Sequence, residues 1–311
     1  MTMRVFVDCD PGIDDAVALA YLAARPEVEI IGVGAVFGNN SVDVTADNAL
    51  RLLELYDRAD VPVAVGASRP LVQPPSLAAH VHGANGLGDV ELPEPAGKPV
   101  TETAAELLVR LVRESPGEID VLAVGPLTNL AIALGLEPEL PRLVRRLVVM
   151  GGAVRVAGNV SSHAEANIRN DPESAEAVFA AGFDLDLVAL DITMKTVATT
   201  EWLEELKTVP GRRAELTSSF LDFYADFYTG LFGVRQCAMH DPLAAAVLVD
   251  PDLVTEAFAT PLRVELAGAL TRGMTVADLR PRPKAEDRRP VRVITGVDED
   301  AFLGRMLDSL R

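Results

Sequence analysis

A chain of 311 residues that is 49% hydrophobic is long and apolar enough for a large core, which excludes intrinsic disorder. Its 46 acidic against 28 basic residues leave a formal net charge of −18, which argues against nucleic-acid partners and anionic membranes, since both need clustered Lys and Arg. Two cysteines, Cys9 and Cys237, exclude a disulfide framework and lack metal-ligand spacing. No apolar run reaches membrane-spanning length and "MTMRVFVDCD" lacks a signal peptide's apolar stretch, so a soluble cytoplasmic protein is expected.

In chain order, strands and helices alternate. Val5, Phe6 and Val7 read as a strand buried on both faces of a parallel sheet. Pro11 and Gly12 break it, and from Ile13 apolar residues recur at helical spacing at Val17, Ala20, Tyr21 and Ala24. A strand follows at 29–38, a helix at 43–56 and a short strand at 61–66. Residues 66–100 have no element of their own, and "HVHGANGLGD" suggests a hinged lid. Next come a helix at 101–115, a strand at 119–125, a helix at 127–136 and a strand at 145–152. A helix at 171–182, opened by Asp-Pro and closed by Gly182, leads to a strand at 183–193. "HDPLAAAVLV" has the form of a helix start with Asp241 as N-cap and Pro242 in the first turn. Repeated βα units imply an α/β fold, one domain over residues 1–311 with a mostly parallel central sheet flanked by helices. Two basic clusters, at 142–146 and 279–289, read as solvated faces.

The first strand-to-helix turn, "DCDPGIDD", holds aspartates at 8, 10, 14 and 15, at the carboxyl end of a parallel strand where α/β sheets place their ligand crevice. Asp14 or Asp15 could serve as first-turn acids, favoured by the helix dipole. Asp8 and Asp10 belong to the strand end and need another explanation. Crowded carboxylates repel unless a cation or shared protons offset the charge, and a hard divalent cation held by oxygen is the economical answer.

Further motifs occur in order along nearly the whole chain. "DCDPGIDD" at 8–15, "FGNN" at 37–40, "HGANGLG" at 82–88, "AVGPLTNLA" at 123–131, "VVMGG" at 148–152, "GNVSSHAEANIRNDPESA" at 158–175 and "HDPLA" at 240–244 resemble the inosine–uridine-preferring nucleoside hydrolases. The resemblance implies Ca²⁺-dependent hydrolysis of the N-glycosidic bond of ribonucleosides to ribose and free base, by a homodimer or homotetramer. It implies calcium ligands at Asp10, Asp15, Asp241 and the Val124 carbonyl. Ribose and base contacts are implied at Asp14, Asn39, His82, Met150, Asn159, Glu165, Asn167, Tyr228 and Asp241, with Asp8 supporting the site from behind. Ala166, where a bulkier aromatic often sits, and Phe232, where some members carry a polar group, depart from the pattern and leave base preference open.

The chemistry suits these residues. Cleavage of an N-riboside passes through an oxocarbenium-like sugar, which carboxylates favour. A cation would orient the attacking water, but Ca²⁺ polarises water weakly, so a carboxylate base is still needed, and Asp10 is expected to fill that role. Glu165 and Asn167, two residues apart, would face one way in an extended segment. The departing base needs a proton, for which His240 is the expected donor. Read alone, each residue has a plainer role: Asp241 a cap, Met150 core, the asparagines turn-formers, Tyr224 and Tyr228 a packing stripe at helical spacing. An Asp-x-Asp after a first strand also opens haloacid-dehalogenase-like phosphatases, but Gly12 followed by Asp14-Asp15 does not fit that pattern. A nucleoside- or calcium-binding protein without turnover is the non-enzymatic alternative, and nothing in the intact carboxylate set favours it.

Overall fold

The computed structural model describes residues 2–282 and 287–311. Eight strands form the main sheet: β1 (Met3–Cys9), β2 (Val28–Ala35), β3 (Val63–Val65), β4 (Ile119–Ala123), β5 (Val144–Met150), β6 (Leu185–Val188), β7 (Val254–Thr260) and β8 (Val291–Val297). Their spatial order is β3-β2-β1-β4-β5-β6-β8-β7, with every pairing parallel except the edge pair β8–β7. The fold is therefore the expected α/β arrangement with a mostly parallel sheet.

Strand β1 lies centrally because both its faces are covered. Val5, Val7 and Cys9 pack into one core with the helices Ile13–Ala24, Arg212–Phe232 and His240–Val249. Phe6 points the other way, into a second core built on the helices Ala104–Glu114, Thr128–Leu136 and Pro172–Ala180. The two-residue alternation of a strand produces this division. The helix His240–Val249 is buried at every position from His240 to Leu248, which suits its nearly uniform apolar sequence.

Register sets the location of the site. Asp8 is level with Gly34 on β2 and with Ala123 on β4, Ala123 is level with Val149 on β5, and Met150 with Val188 on β6. The carboxyl ends of five adjacent strands thus lie side by side, and β1 has β2 on one flank and β4 on the other. That reversal of strand order is the switch point where open α/β sheets leave a crevice.

Three local expectations need correction. The strand expected at 183–193 ends at Val188, and Leu190–Thr193 is a turn of helix. The Asp191 carboxylate accepts the Val154 and Arg155 N–H groups, holding the chain out of the ladder just past the end of β5. Asp241 is not the N-cap: the helix starts at His240 with Met239 as cap, leaving the Asp241 side chain free for other work. Glu165 and Asn167 do not share an extended segment. Glu165 caps the short helix Ala166–Asn170, and Asn167 lies within it.

The segment 66–100 is as poor in regular structure as expected, with one short helix at Ala79–His82. In the cluster 142–146, Arg142, Arg145 and Arg146 pair with Glu139, Asp120 and Asp186. In the cluster 279–289, Arg280 and Arg289 pair with Asp278 and Asp184, while residues 283–286 lie outside the described residues. No described helix is long and apolar enough to cross a membrane.

Candidate active site

A cavity of about 550 Å³ opens at the carboxyl ends of β1, β2, β4 and β5. Asp14 of the aspartate turn and Asp241 line it, with Asp15 and Asp10 packed behind them. Asp15, in the first turn of its helix, uses Oδ1 to accept the Asp10 N–H (3.1 Å) and Oδ2 to accept the Gly12 N–H (2.9 Å) and the Asn39 side-chain amide (3.0 Å). Asn39 also reaches the Asp10 carbonyl (3.2 Å), while its backbone N–H donates to Asp10 Oδ2 at 2.7 Å. Among the described residues, Asp10 Oδ1 and Asp14 Oδ1 are buried with no hydrogen-bond partner.

Two glycines make the cradle for Asp10. A Cβ on Gly38 would collide with Asp10 Oδ2, and one on Gly125 would lie 2.6 Å from Oδ1. Gly12 is equally constrained, since a Cβ there would sit 2.7 Å from His82 Nδ1. The short motifs "FGNN" and "AVGP" therefore supply close backbone approach as well as side chains.

Asp14, Asp15 and Asp241 each offer an oxygen, all within 4.8 Å of one another, and all three side chains are buried. Burial raises the carboxyl of Asp14 to about 8, with the charge of Asp15 adding to the effect. Burial likewise raises Asp15 to about 6 and moves Asp10 and Asp241 well above the ordinary range. A bare cluster of this kind strongly favours protons or a cation. The two unpartnered oxygens and the all-oxygen donor set fit a hard divalent metal, so the residues present suit the one the sequence implied. Asp14 joins the grouping by geometry, whereas the resemblance implies a ribose contact for it.

One side of the cavity carries Asn39, Val124, Met150, Asn159, Glu165 and Asn167. Asn167 Nδ2 donates to the Val124 carbonyl (2.8 Å) and the Met150 carbonyl (3.2 Å), tying together the ends of β4 and β5. The Glu165 carboxylate accepts three backbone N–H groups, from Gly152, Asn167 and Ile168. It therefore holds the helix that presents Asn167 while also lining the wall. Asn159, at the exposed rim, accepts the Ala166 N–H at 3.0 Å.

The opposite wall is aromatic. Tyr224 and Tyr228 meet edge to face with centroids 5.0 Å apart, and Phe232 stacks on Tyr228 at 5.9 Å. Both tyrosines line the cavity, so the spacing that reads as a packing stripe also builds a wall of the site. Tyr228 Oη lies 2.8 Å from His240 Nε2, and His240 Nδ1 lies 2.7 Å from Thr193 Oγ1. Burial pushes His240 down to about 4 and His82 to about 3, the latter aided by repulsion from His240. His82 Nδ1 accepts the Ile13 N–H at 3.1 Å, so its neutral ring carries the proton on Nε2.

Asp8 stands apart. It shares the face of Phe6, accepts the Asn129 side-chain amide at 2.7 Å and is raised to about 7 by burial. The sequence reading missed the contributions of Thr193, His80, Met194, Lys195, Phe227 and Leu231. Only the helix Arg212–Phe232 offered a signal, because Phe227 and Leu231 continue the aromatic and apolar run around the two tyrosines.

A sheet with its crevice at the switch point, lined by buried carboxylates and walled by aromatics, suits a small polar ligand held beside a cation. The inosine-uridine preferring nucleoside hydrolase family model matches residues 5–304, and the chain belongs to that family. It is 43% identical to uridine nucleosidase 1 of Arabidopsis thaliana over 81% of this chain and 75% of the relative. It is 38% identical to the pyrimidine-specific ribonucleoside hydrolase RihA of Shewanella baltica over 100% and 97% of the two chains. The structure superposes on a plant nucleoside hydrolase with a TM-score of 0.95 at 33% identity, covering 100% and 99%. The protein is a nucleoside N-glycosyl hydrolase.

Proposed function

We propose that the protein, as one hydrolase domain over residues 1–311, cleaves pyrimidine ribonucleosides, uridine foremost, with Ca²⁺ as its resident metal. The supporting observation is the pair of unpartnered buried oxygens, Asp10 Oδ1 and Asp14 Oδ1, in the carboxylate cluster with Asp15 and Asp241. Asp10, Asp15, Asp241 and the Val124 carbonyl would hold the ion, with Asp14 close enough to share it. When bound, Ca²⁺ neutralises the carboxylates and helps orient water. The base preference rests on the relatives, which are named for uridine or pyrimidine substrates.

The chain's own residues perform the rest. Asn39, Asp14 and Asn167 hold the ribose hydroxyls, with Met150 against the sugar and Asn159 and Glu165 at its outer end. Asp10 takes a proton from the attacking water, whose oxygen bonds to C1′. The pair from the C1′–N bond goes to the base nitrogen, and the sugar's developing positive charge lies above carboxylates. His240, hydrogen-bonded between Tyr228 and Thr193, relays a proton toward the departing base, its neutral ring taking one up at one nitrogen as it gives one from the other, while His82 and Tyr228 flank the base.

Ribose release from uridine, with and without chelation, tests the reading. Chelation should abolish turnover and added Ca²⁺ should restore it. Asp10→Asn should lower kcat about 10²–10⁴-fold, the usual worth of a general base, while melting stays cooperative. Full activity in metal-free protein overturns the metal assignment, and near-normal turnover of Asp10→Asn moves the base elsewhere.

A further inference from the structure

The cavity is electrically lopsided. Asp14 and Asp241 lie at its sugar end with Asp15 behind them. Among the described residues lining it, Lys195 is the one Lys or Arg. Lys195 follows Met194 along the wall and lies two residues beyond Thr193, whose hydroxyl contacts His240. That places it on the side from which the base departs. Its backbone is fixed by an N–H to the Ile192 carbonyl at 2.9 Å, and its side chain is exposed to the cavity mouth. Lys207, by contrast, is paired with Glu204 and Asp222. Among the described residues no such carboxylate partner holds Lys195.

Charge separates along the same axis during the reaction. As the C1′–N bond breaks, the sugar becomes positive and the bond pair moves into the base, where carbonyl oxygens receive much of it. Carboxylates at one pole and an ammonium at the other match that separation. We propose that Lys195 is a specificity-determining residue for the leaving base, favouring bases with a carbonyl oxygen or negative charge on the edge remote from the sugar over bases with an amino group there. The proposal rests on the ribonucleoside-hydrolase reading. It assigns Lys195 no proton transfer: its ammonium stabilises charge on the base, and the proton still comes from elsewhere. A 5′-phosphate would lie at the carboxylate end, so Lys195 is not its clamp. Arg169 is no clamp either, since its guanidinium bonds the Gln73 side-chain oxygen at 3.1 Å.

Uridine and cytidine differ at that remote edge by a carbonyl against an amino group, so their ratio of kcat/KM is the readout. Wild type, Lys195→Met and Lys195→Arg should be compared on both nucleosides at one pH with Ca²⁺ in excess. The uridine-to-cytidine ratio should fall about tenfold in Lys195→Met, the worth of one charge-assisted hydrogen bond. Lys195→Arg should retain most of the preference. The change should fall mainly on kcat, because the negative charge on the base grows as the bond breaks. General damage to the wall would lower both substrates together and leave the ratio unmoved. An unchanged ratio with both nucleosides cleaved overturns the role of Lys195 and leaves the nucleoside reading standing. No ribose from either nucleoside with wild-type protein overturns both.

Discussion

Asp10 shows how closely one side chain can be specified by its neighbours. Gly38 and Gly125 press on its two oxygens, and Asn39 donates to it. Gly125→Ala should push the carboxylate aside and lower kcat about 10²-fold, as misplacement by about 1 Å can. Steady-state kinetics checks this alongside a melting curve, because the new methyl also nears Val36 Cγ1 at 2.8 Å. His240 presents a different case. With its imidazole held neutral at pH 7, it can donate only a ring N–H, as part of the line from Thr193 to Tyr228. His240→Ala should lose about 10²–10⁴-fold on uridine, whose base leaves badly as an anion. It should lose far less on p-nitrophenyl riboside, which needs no proton. Equal losses on the two would show that His240 chiefly positions Asp241.

At the scale of elements, the glycine-rich segment after the helix Ala79–His82 is the least regular part of the site and among the most cross-linked. Asn85 accepts the Leu87 and Asp89 N–H groups, Asp89 accepts the Ala84 N–H, and the Gly88 N–H reaches the His82 carbonyl. Asn40 and Asn48 tie it to neighbouring elements through the Ala84 and Asn85 carbonyls. Gly83, Gly86 and Gly88 all have left-handed backbone, so the turns need glycine for shape as much as for mobility. The lid expected here is better tested as a preformed wall. Hydrogen exchange at Ala84, Leu87, Gly88 and Asp89 should be slow in the free protein and change little when a ribose-like inhibitor binds. Fast exchange that slows on binding would restore the lid. Asn85→Ala should raise KM for uridine by loosening the loop that carries His82.

For the molecule as a whole, four buried carboxylates at one point cost stability unless something neutralises them. Asp14 titrates near 8 and Asp15 near 6 in the fold, both above the ordinary 3.8. The folded state therefore binds more protons than the unfolded chain in the window between the ordinary and the raised values. Stability of metal-free protein must then fall as pH rises through 6 to 8, since the slope follows protons bound in the unfolded minus the folded state. Melting of chelated protein should be lower at pH 8 than at pH 6, and Ca²⁺ should raise it most at pH 8. A metal-free melting temperature that rises with pH over that range would contradict this balance.

The sequence by itself determined the βα alternation, the parallel sheet and most of the carboxylate cluster. Those features are local: an apolar strand, a Pro-Gly break and a helical apolar spacing sit within a few residues of one another, and seven short motifs carry most of the site. Long-range partners were beyond its reach. The last third of the strand read at 183–193 turned into helix because Asp191 bonds to Val154 and Arg155, residues far away in sequence. Asn167 became a tie between two strand ends for the same reason, through the distant Val124 and Met150 carbonyls. The partnership of Thr193 with His240 and the presence of Lys195 on the cavity wall follow from how a helix turn packs beside the helix His240–Val249. Spacing along a chain records which residues can share a strand or helix face. Which faces then meet, and which polar atom is left without a partner, is settled only when the layers close on one another and exclude water.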